Sequence, residues 1–189
     1  MESNPQWLLA FWCSLVKMSK TIMGLDLSLT STGWSCGGGY GVISSKNKKT
    51  QRLIDISEEI LGICVSRKVE IVIIEGYSFA SRSGQAFSIG ELGGVVRFCL
   101  LKSKIPFIEV PPTVRAKFAT GRGNAAKSEV VSSISAKTGI VWTGSGADDM
   151  CDAWILEEIG LFHYGQSRFD WPKLNISALE SVDWTHIDS

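Results

Sequence analysis

The segment Val69-Glu70-Ile71-Val72-Ile73-Ile74-Glu75-Gly76 limits the folds open to this chain more than any other stretch. Apolar residues fill consecutive positions, so neither side of an extended strand there can face water. Such a strand belongs inside a sheet that is covered on both faces. The run then ends on a carboxylate, Glu75, whose ionised form is costly to bury unless something positive meets it. A second run repeats the oddity: Ile22-Met23-Gly24-Leu25-Asp26-Leu27 carries Asp26 where strand propensity and desolvation both disfavour it.

The remaining pattern alternates strand and helix. Residues 21–28 read as a buried strand, Thr32 to Gly37 as its hairpin partner, and Tyr40 to Ser45 as a third strand after Gly37-Gly38-Gly39. Leu53, Ile56, Ile60, Leu61 and Cys64 recur at helical spacing and predict an amphipathic helix over 50–67. Phe87, Leu92, Val95, Val96 and Cys99 mark a second helix, roughly 85–103. Ile105 to Val110 is a strand stopped by Pro111-Pro112. A short helix from Thr113, a glycine-bearing loop at Gly121-Arg122-Gly123-Asn124 and a helix around 126–138 follow. The last long helix begins near Ala147 and carries Cys151, Trp154, Ile155 and Phe162 on one side. Together these predict an α/β domain, a mixed five-stranded sheet flanked by helices on both faces.

Length and composition fit one globular domain: 189 residues, 44% hydrophobic and 20% charged. A formal net charge of +0 excludes a polycation that finds nucleic acid by bulk attraction. The charge is nevertheless uneven. Between Lys102 and Lys137 seven basic residues (Lys102, Lys104, Arg115, Lys117, Arg122, Lys127, Lys137) accompany only Glu109 and Glu129. Five cysteines without a C-x-x-C spacing signal neither a disulfide framework nor a zinc site. Trp7 to Val16 is apolar but well short of the roughly 20 residues that span a bilayer, so no membrane partner is expected. It also lacks the flanks of a secretory signal. Residues 1–17 are read as an N-terminal extension, with Met18 the expected functional start, 18–164 as the domain, and 165–189 as a tail packing on its surface.

Asp149 and Asp152 follow the glycine-rich Thr143-Gly144-Ser145-Gly146 and are spaced i, i+3, so they share a helix face. Both are expected in the first turn, where the backbone's partial positive charge favours anions. Asp148 points about 100° away around the helix and is expected outside the cluster or in solvent. Two like charges this close need a cation between them. With Asp26 and Glu75 at adjacent strand ends, the four carboxylates would form a pocket suited to hard divalent ions. Two such ions, about 4 Å apart, activate a water and stabilise the leaving oxygen in phosphodiester hydrolysis. Magnesium is the expected ion and manganese a substitute.

These segments resemble the RuvC-type Holliday-junction resolvases, particularly the shorter phage-encoded members, of the ribonuclease H-like superfamily. The resemblance runs from about Thr21 to Phe162. It rests on Gly24-Leu25-Asp26-Leu27-Ser28 with Thr32-Gly33-Trp34, Ile73-Ile74-Glu75-Gly76, and Val110-Pro111-Pro112-Thr113-Val114-Arg115-Ala116-Lys117. Gly121-Arg122-Gly123-Asn124-Ala125-Ala126-Lys127 and Asp148-Asp149-Met150-Cys151-Asp152-Ala153 complete it, in that order and spacing.

The resemblance implies a ribonuclease H-like fold and an endonuclease that resolves four-way junctions by paired symmetric nicks. It gives Asp26, Glu75, Asp149 and Asp152 the metal-ligand positions and sets Lys117 and Lys127 near the scissile phosphate. Lys127 is the candidate for stabilising charge there. The family also carries an aromatic wedge in the loop after the glutamate. Its usual place, three residues on, is Ser78 here, so Tyr77 or Phe79 takes the role by stacking on bases. Arg82, Arg115 and Arg122 join Tyr77, Phe79, Lys117 and Lys127 as residues expected to meet branched DNA. A homodimer is implied as well, with Phe87, Ile89 and Phe98 as interface candidates, in the cytoplasm of a bacterial or phage-infected cell. Three rivals remain: a nuclease for forks or flaps, a junction-binding protein without catalysis, and an actin-like or sugar-kinase-like nucleotide binder. The last shares the Gly24 to Gly33 loop pattern but needs a second domain for which this chain is too short.

Overall fold

The computed structural model describes residues 19–77 and 85–185. Five strands, β1 (Ile22–Asp26), β2 (Thr32–Cys36), β3 (Gly39–Ile43), β4 (Ile71–Glu75) and β5 (Phe107–Val110), form one sheet in the order β3-β2-β1-β4-β5. The first three pair antiparallel, whereas β1, β4 and β5 run parallel. The helices are α1 (Lys49–Ser66), α2 (Gln85–Lys102), α3 (Pro112–Thr120), α4 (Lys127–Thr138), α5 (Ala147–His163) and the short α6 (Lys173–Ile176), which runs into a 3-10 turn at Ser177–Ser181. The mixed α/β architecture is the expected one, with boundaries moved by at most two residues.

Alternation along the central strands creates two cores. Met23, Leu25, Val72 and Ile74 point to one side, where α1 supplies Ile56, Ile60 and Cys64 and α2 supplies Leu92, Val96 and Leu100. Ile22, Ile71 and Ile73 point to the other, against α3, α4 and α5. Helix α5 is buried without a break from Cys151 to Gly160, because the sheet covers one side of it and α3, α4 and the tail the other. An amphipathic stripe is therefore absent from this helix. The tail does more than lie on the surface. Trp171, Ala178, Leu179 and Val182 are buried members of the α5-side core, and the Trp171 ring sits 4.3 Å from that of Phe118.

Candidate active site

Parallel pairing sets Leu25 of β1 beside Ile74 of β4, so Asp26 and Glu75 come next as neighbours at the carboxyl ends of the two central strands. Period-two alternation then fixes their side. Asp26 follows Ile22 and Gly24, and Glu75 follows Ile71 and Ile73, so both belong to the face that α5 covers. Ligand-binding crevices in open α/β sheets lie at this end of the strands.

Helix α5 approaches that face through two glycines. A Cβ at Gly24 would stand 1.9 Å from the Ala153 carbonyl oxygen, and one at Gly33 2.1 Å from that of Asp149. No other residue permits backbone to lie against backbone in this way. The close approach lets Asp149 and Asp152 act electrostatically on Asp26 on that face. Asp149 lies in the first helical turn as expected, but Asp152 is the sixth residue of α5 and belongs to the second turn. The helix start therefore does little for Asp152. Its charge is met by a side chain instead.

That side chain is Arg115, which lies between two of the carboxylates and not on the open basic face where the sequence set it. Arg115 is only 7% exposed, and its guanidinium donates from Nε to Glu75 Oε1 and from Nη1 to Asp152 Oδ1. The cause is its place in the chain. α3 starts at Pro112, directly after β5 and next to β4, so the first turn of α3 is held beside the strand ends. Burial favours the neutral guanidine, yet Glu75 and Asp152 outweigh it and raise the Arg115 pKa above its ordinary value.

Asp26 has no such donor. It is 8% exposed and carries no hydrogen bond or ion pair among the described residues. Burial, followed by the charges of Glu75 and Asp152, pushes its carboxyl well above the usual range, with Asp149 adding to the rise and Arg115 opposing it. Asp152 is pushed up to about 7, first by burial and then by Glu75, while Arg115 and Lys127 pull it down. Fully ionised, the four carboxylates exceed the charge of Arg115 and Lys127 together.

The other expected contacts scatter. Lys127 is exposed at the start of α4, donates to Asp148 Oδ2 at 2.9 Å and lies 4.0 Å from Asp149 Oδ1. Lys117 is half-buried beside a cavity of about 400 Å³ that it shares with Thr113, Gly123 and Ser177, and among the described residues it pairs with none of the four carboxylates. Arg122 pairs with Glu129 in the open. Tyr77 is held against α2: its hydroxyl donates to the Gly90 carbonyl at 3.3 Å and accepts from Arg97 Nη1 at 2.8 Å. Phe79 and Arg82 lie outside the described residues. Phe87 and Phe98 are exposed on α2 and Ile89 is half-buried.

Among the described residues no three acidic, histidine or cysteine side chains close on one point as a finished ion cage. The donor set still fits a hard cation. It consists of carboxylate oxygens from three elements, those of Asp26 without a hydrogen bond or ion pair among the described residues, and it retains excess negative charge. Glu75 and Asp152 are turned to Arg115 instead. Sequence reasoning gave this arginine to DNA and missed its pairing with the carboxylates, for which the available signal was its distance of only five residues from the end of β5.

Comparison with known proteins gives one consistent result. The family model described as crossover junction endodeoxyribonuclease RuvC matches residues 22–153. The crossover junction endodeoxyribonuclease RuvC of Carboxydothermus hydrogenoformans is 32% identical over 143 residues, covering 67% of this chain and 90% of the relative. That of Gloeobacter violaceus is 29% identical over 155 residues, covering 76% and 88%. Among solved structures, T. thermophilus RuvC in complex with Holliday junction substrate aligns with a TM-score of 0.62 at 19% identity, over 78% of this chain and 98% of that one. At that identity the structure speaks for the fold alone.

Proposed function

This chain belongs to the RuvC family of crossover junction endodeoxyribonucleases, and from that premise we propose that Asp26, Glu75, Asp149 and Asp152 form its cutting site for four-way DNA junctions. One observation carries the assignment to these residues. Asp26, 8% exposed and without a donor among the described residues, stands at the end of a central strand with three more carboxylates acting on it or beside it.

The four carboxylates would hold divalent ions, with two magnesium ions as the proposed complement and manganese as a substitute. When bound, those ions supply polarisation of the scissile phosphate and acidification of the attacking water. The residues do the rest. The pleat of β1 and β4 fixes Asp26 and Glu75 at one level, and the Gly24 and Gly33 contacts hold α5 so that Asp149 and Asp152 keep their distance from them. Lys127, exposed and next to Asp148 and Asp149, is positioned to meet a phosphate oxygen and offset charge that develops there. Lys117 and Arg122 are proposed as backbone-phosphate contacts, and Tyr77, Phe79 and Arg82 as the side that meets the unpaired crossover.

Two cuts placed symmetrically on a junction need two sites related by a two-fold axis, so the acting species is a homodimer. Phe87 and Phe98, 83% and 63% exposed on α2, supply apolar surface for it. No helix among the described residues is long and apolar enough to cross a membrane, and a cytoplasmic place beside cellular or phage DNA is proposed.

The test is nick mapping on a synthetic junction with a fixed crossover, each strand labelled in turn, beside a fork and a flap. The expected outcome is paired symmetric nicks on the junction in magnesium, with slower cutting of the other two. Faster cutting of forks or flaps would reassign the substrate, and unpaired nicks would remove the dimer.

A further inference from the structure

Arg115 occupies the ground that a divalent ion needs. Its two donors take Glu75 Oε1 and Asp152 Oδ1, oxygens of two of the four proposed ligands, and the guanidinium is nearly sealed from water. Asp26, the remaining strand carboxylate, also feels its charge. A guanidinium so placed neutralises the cluster in a fixed planar geometry. It cannot keep both bonds while those oxygens turn to a dication, because two buried positive centres would then face each other with their shared anions divided between them.

We propose that Arg115 is a resident counter-cation that competes with divalent ions for Glu75 and Asp152, and that its guanidinium transfers to a DNA phosphate when substrate and metal arrive together. This rests on the four-carboxylate cutting site proposed above and adds the order of events within it. Without DNA the site is held closed by its own arginine, so metal uptake is weak and stray hydrolysis is suppressed. A phosphate gives the guanidinium an equivalent bidentate partner, so junction binding raises metal affinity, and by linkage metal raises affinity for the junction. A purely structural arginine makes the opposite forecast: its loss would splay Glu75 and Asp152 and weaken metal binding.

Two measurements on the DNA-free protein decide between these roles without recourse to cutting. Calorimetric titration with Mn²⁺ compares the wild type with Arg115→Met and Arg115→Lys, folding being checked by far-UV circular dichroism. The expected result is tighter Mn²⁺ binding in Arg115→Met by about 5- to 150-fold, the range of a typical coupling, with Arg115→Lys in between. In the wild type, the arginine Nε–Hε resonance that Arg115→Lys removes should shift or broaden as Mg²⁺ saturates the protein. This second readout stands even if Arg115→Met does not fold. Unchanged or weaker Mn²⁺ affinity in a folded Arg115→Met overturns the proposal and leaves the cutting site intact, as does an Nε–Hε resonance indifferent to bound Mg²⁺. Failure of wild type and variant alike to take up Mn²⁺ at millimolar concentration overturns the proposal together with the metal site beneath it.

Discussion

Helix α5 carries two acidic pairs, and they are built in opposite ways. Toward its carboxyl half, Glu157 accepts Ser35 Oγ at 2.6 Å and the Gly37 amide at 2.8 Å. Glu158 accepts the Arg168 amide and Nε, the Ser167 hydroxyl and the Trp171 indole N–H. Every charge there has donors, and the pair ties the tail to the core. At the amino half, Asp149 and Asp152 join Asp26 and Glu75 with Arg115 and Lys127 as the cations among the described residues, and none of those residues donates to Asp26. Buried charges that are fully met are architecture. Buried charges left short of partners cost stability and are retained where chemistry needs them.

Removing a member of the satisfied pair should have the largest effect on stability. Glu158→Ala leaves Arg168 with Glu157 alone among the described carboxylates, strands the Trp171 N–H, and should lower unfolding free energy by about 3 kcal/mol, read by urea denaturation. A change within error would mean that the tail contacts are ornamental and would erase half of the contrast.

Asp152 carries a pH dependence of its own. Asp152 ionises near 3.8 when unfolded and near 7 when folded, so the folded chain holds the extra proton between those values. Its contribution to stability is complete below the unfolded value and is lost as pH rises through 7, on the order of 4 kcal/mol from this group alone. In metal-free buffer the wild type should therefore lose stability relative to Asp152→Asn between about pH 4 and 7. Glu75, Arg115, Lys127 and Asp148 set the size of that loss through their charges. A flat difference would show that Asp152 is ionised as easily as a surface aspartate.

Much of this contrast was open to reading in the sequence, and what was hidden has physical reasons. Asp26 and Glu75 each close an apolar run whose two-residue period assigns them a face, so strand order and local pattern suffice to bring them together. Asp149 and Asp152 are legible by helical spacing. Arg115 is not, because its partners lie 40 and 37 positions away and its neighbours Lys117 and Arg122 give it the look of a solvated basic face. Glu157 and Glu158 hide for the same reason: they sit in a helix without an amphipathic stripe, and their partners come from β2 and from a tail whose periodic pattern has dissolved. Local pattern reveals what is costly to bury; it does not reveal what answers the cost.

The smallest effect concerns the exposed rim. Lys117→Ala combined with Arg122→Ala should weaken junction binding and flatten its dependence on log salt by about 2, in binding titrations at several salt concentrations without metal. An unchanged slope would return both residues to the solvated surface.

The division of α5 into a working half and a structural half is tested most directly by single-turnover cutting of a four-way junction in magnesium, comparing Asp149→Asn with Glu157→Gln. Asp149→Asn should cut at least about a hundredfold more slowly while still binding the junction, and folded Glu157→Gln should cut at the wild-type rate. Near-normal cutting by Asp149→Asn, or its loss in a folded Glu157→Gln, would contradict the assignment of catalysis to the carboxylates gathered at the amino half of α5.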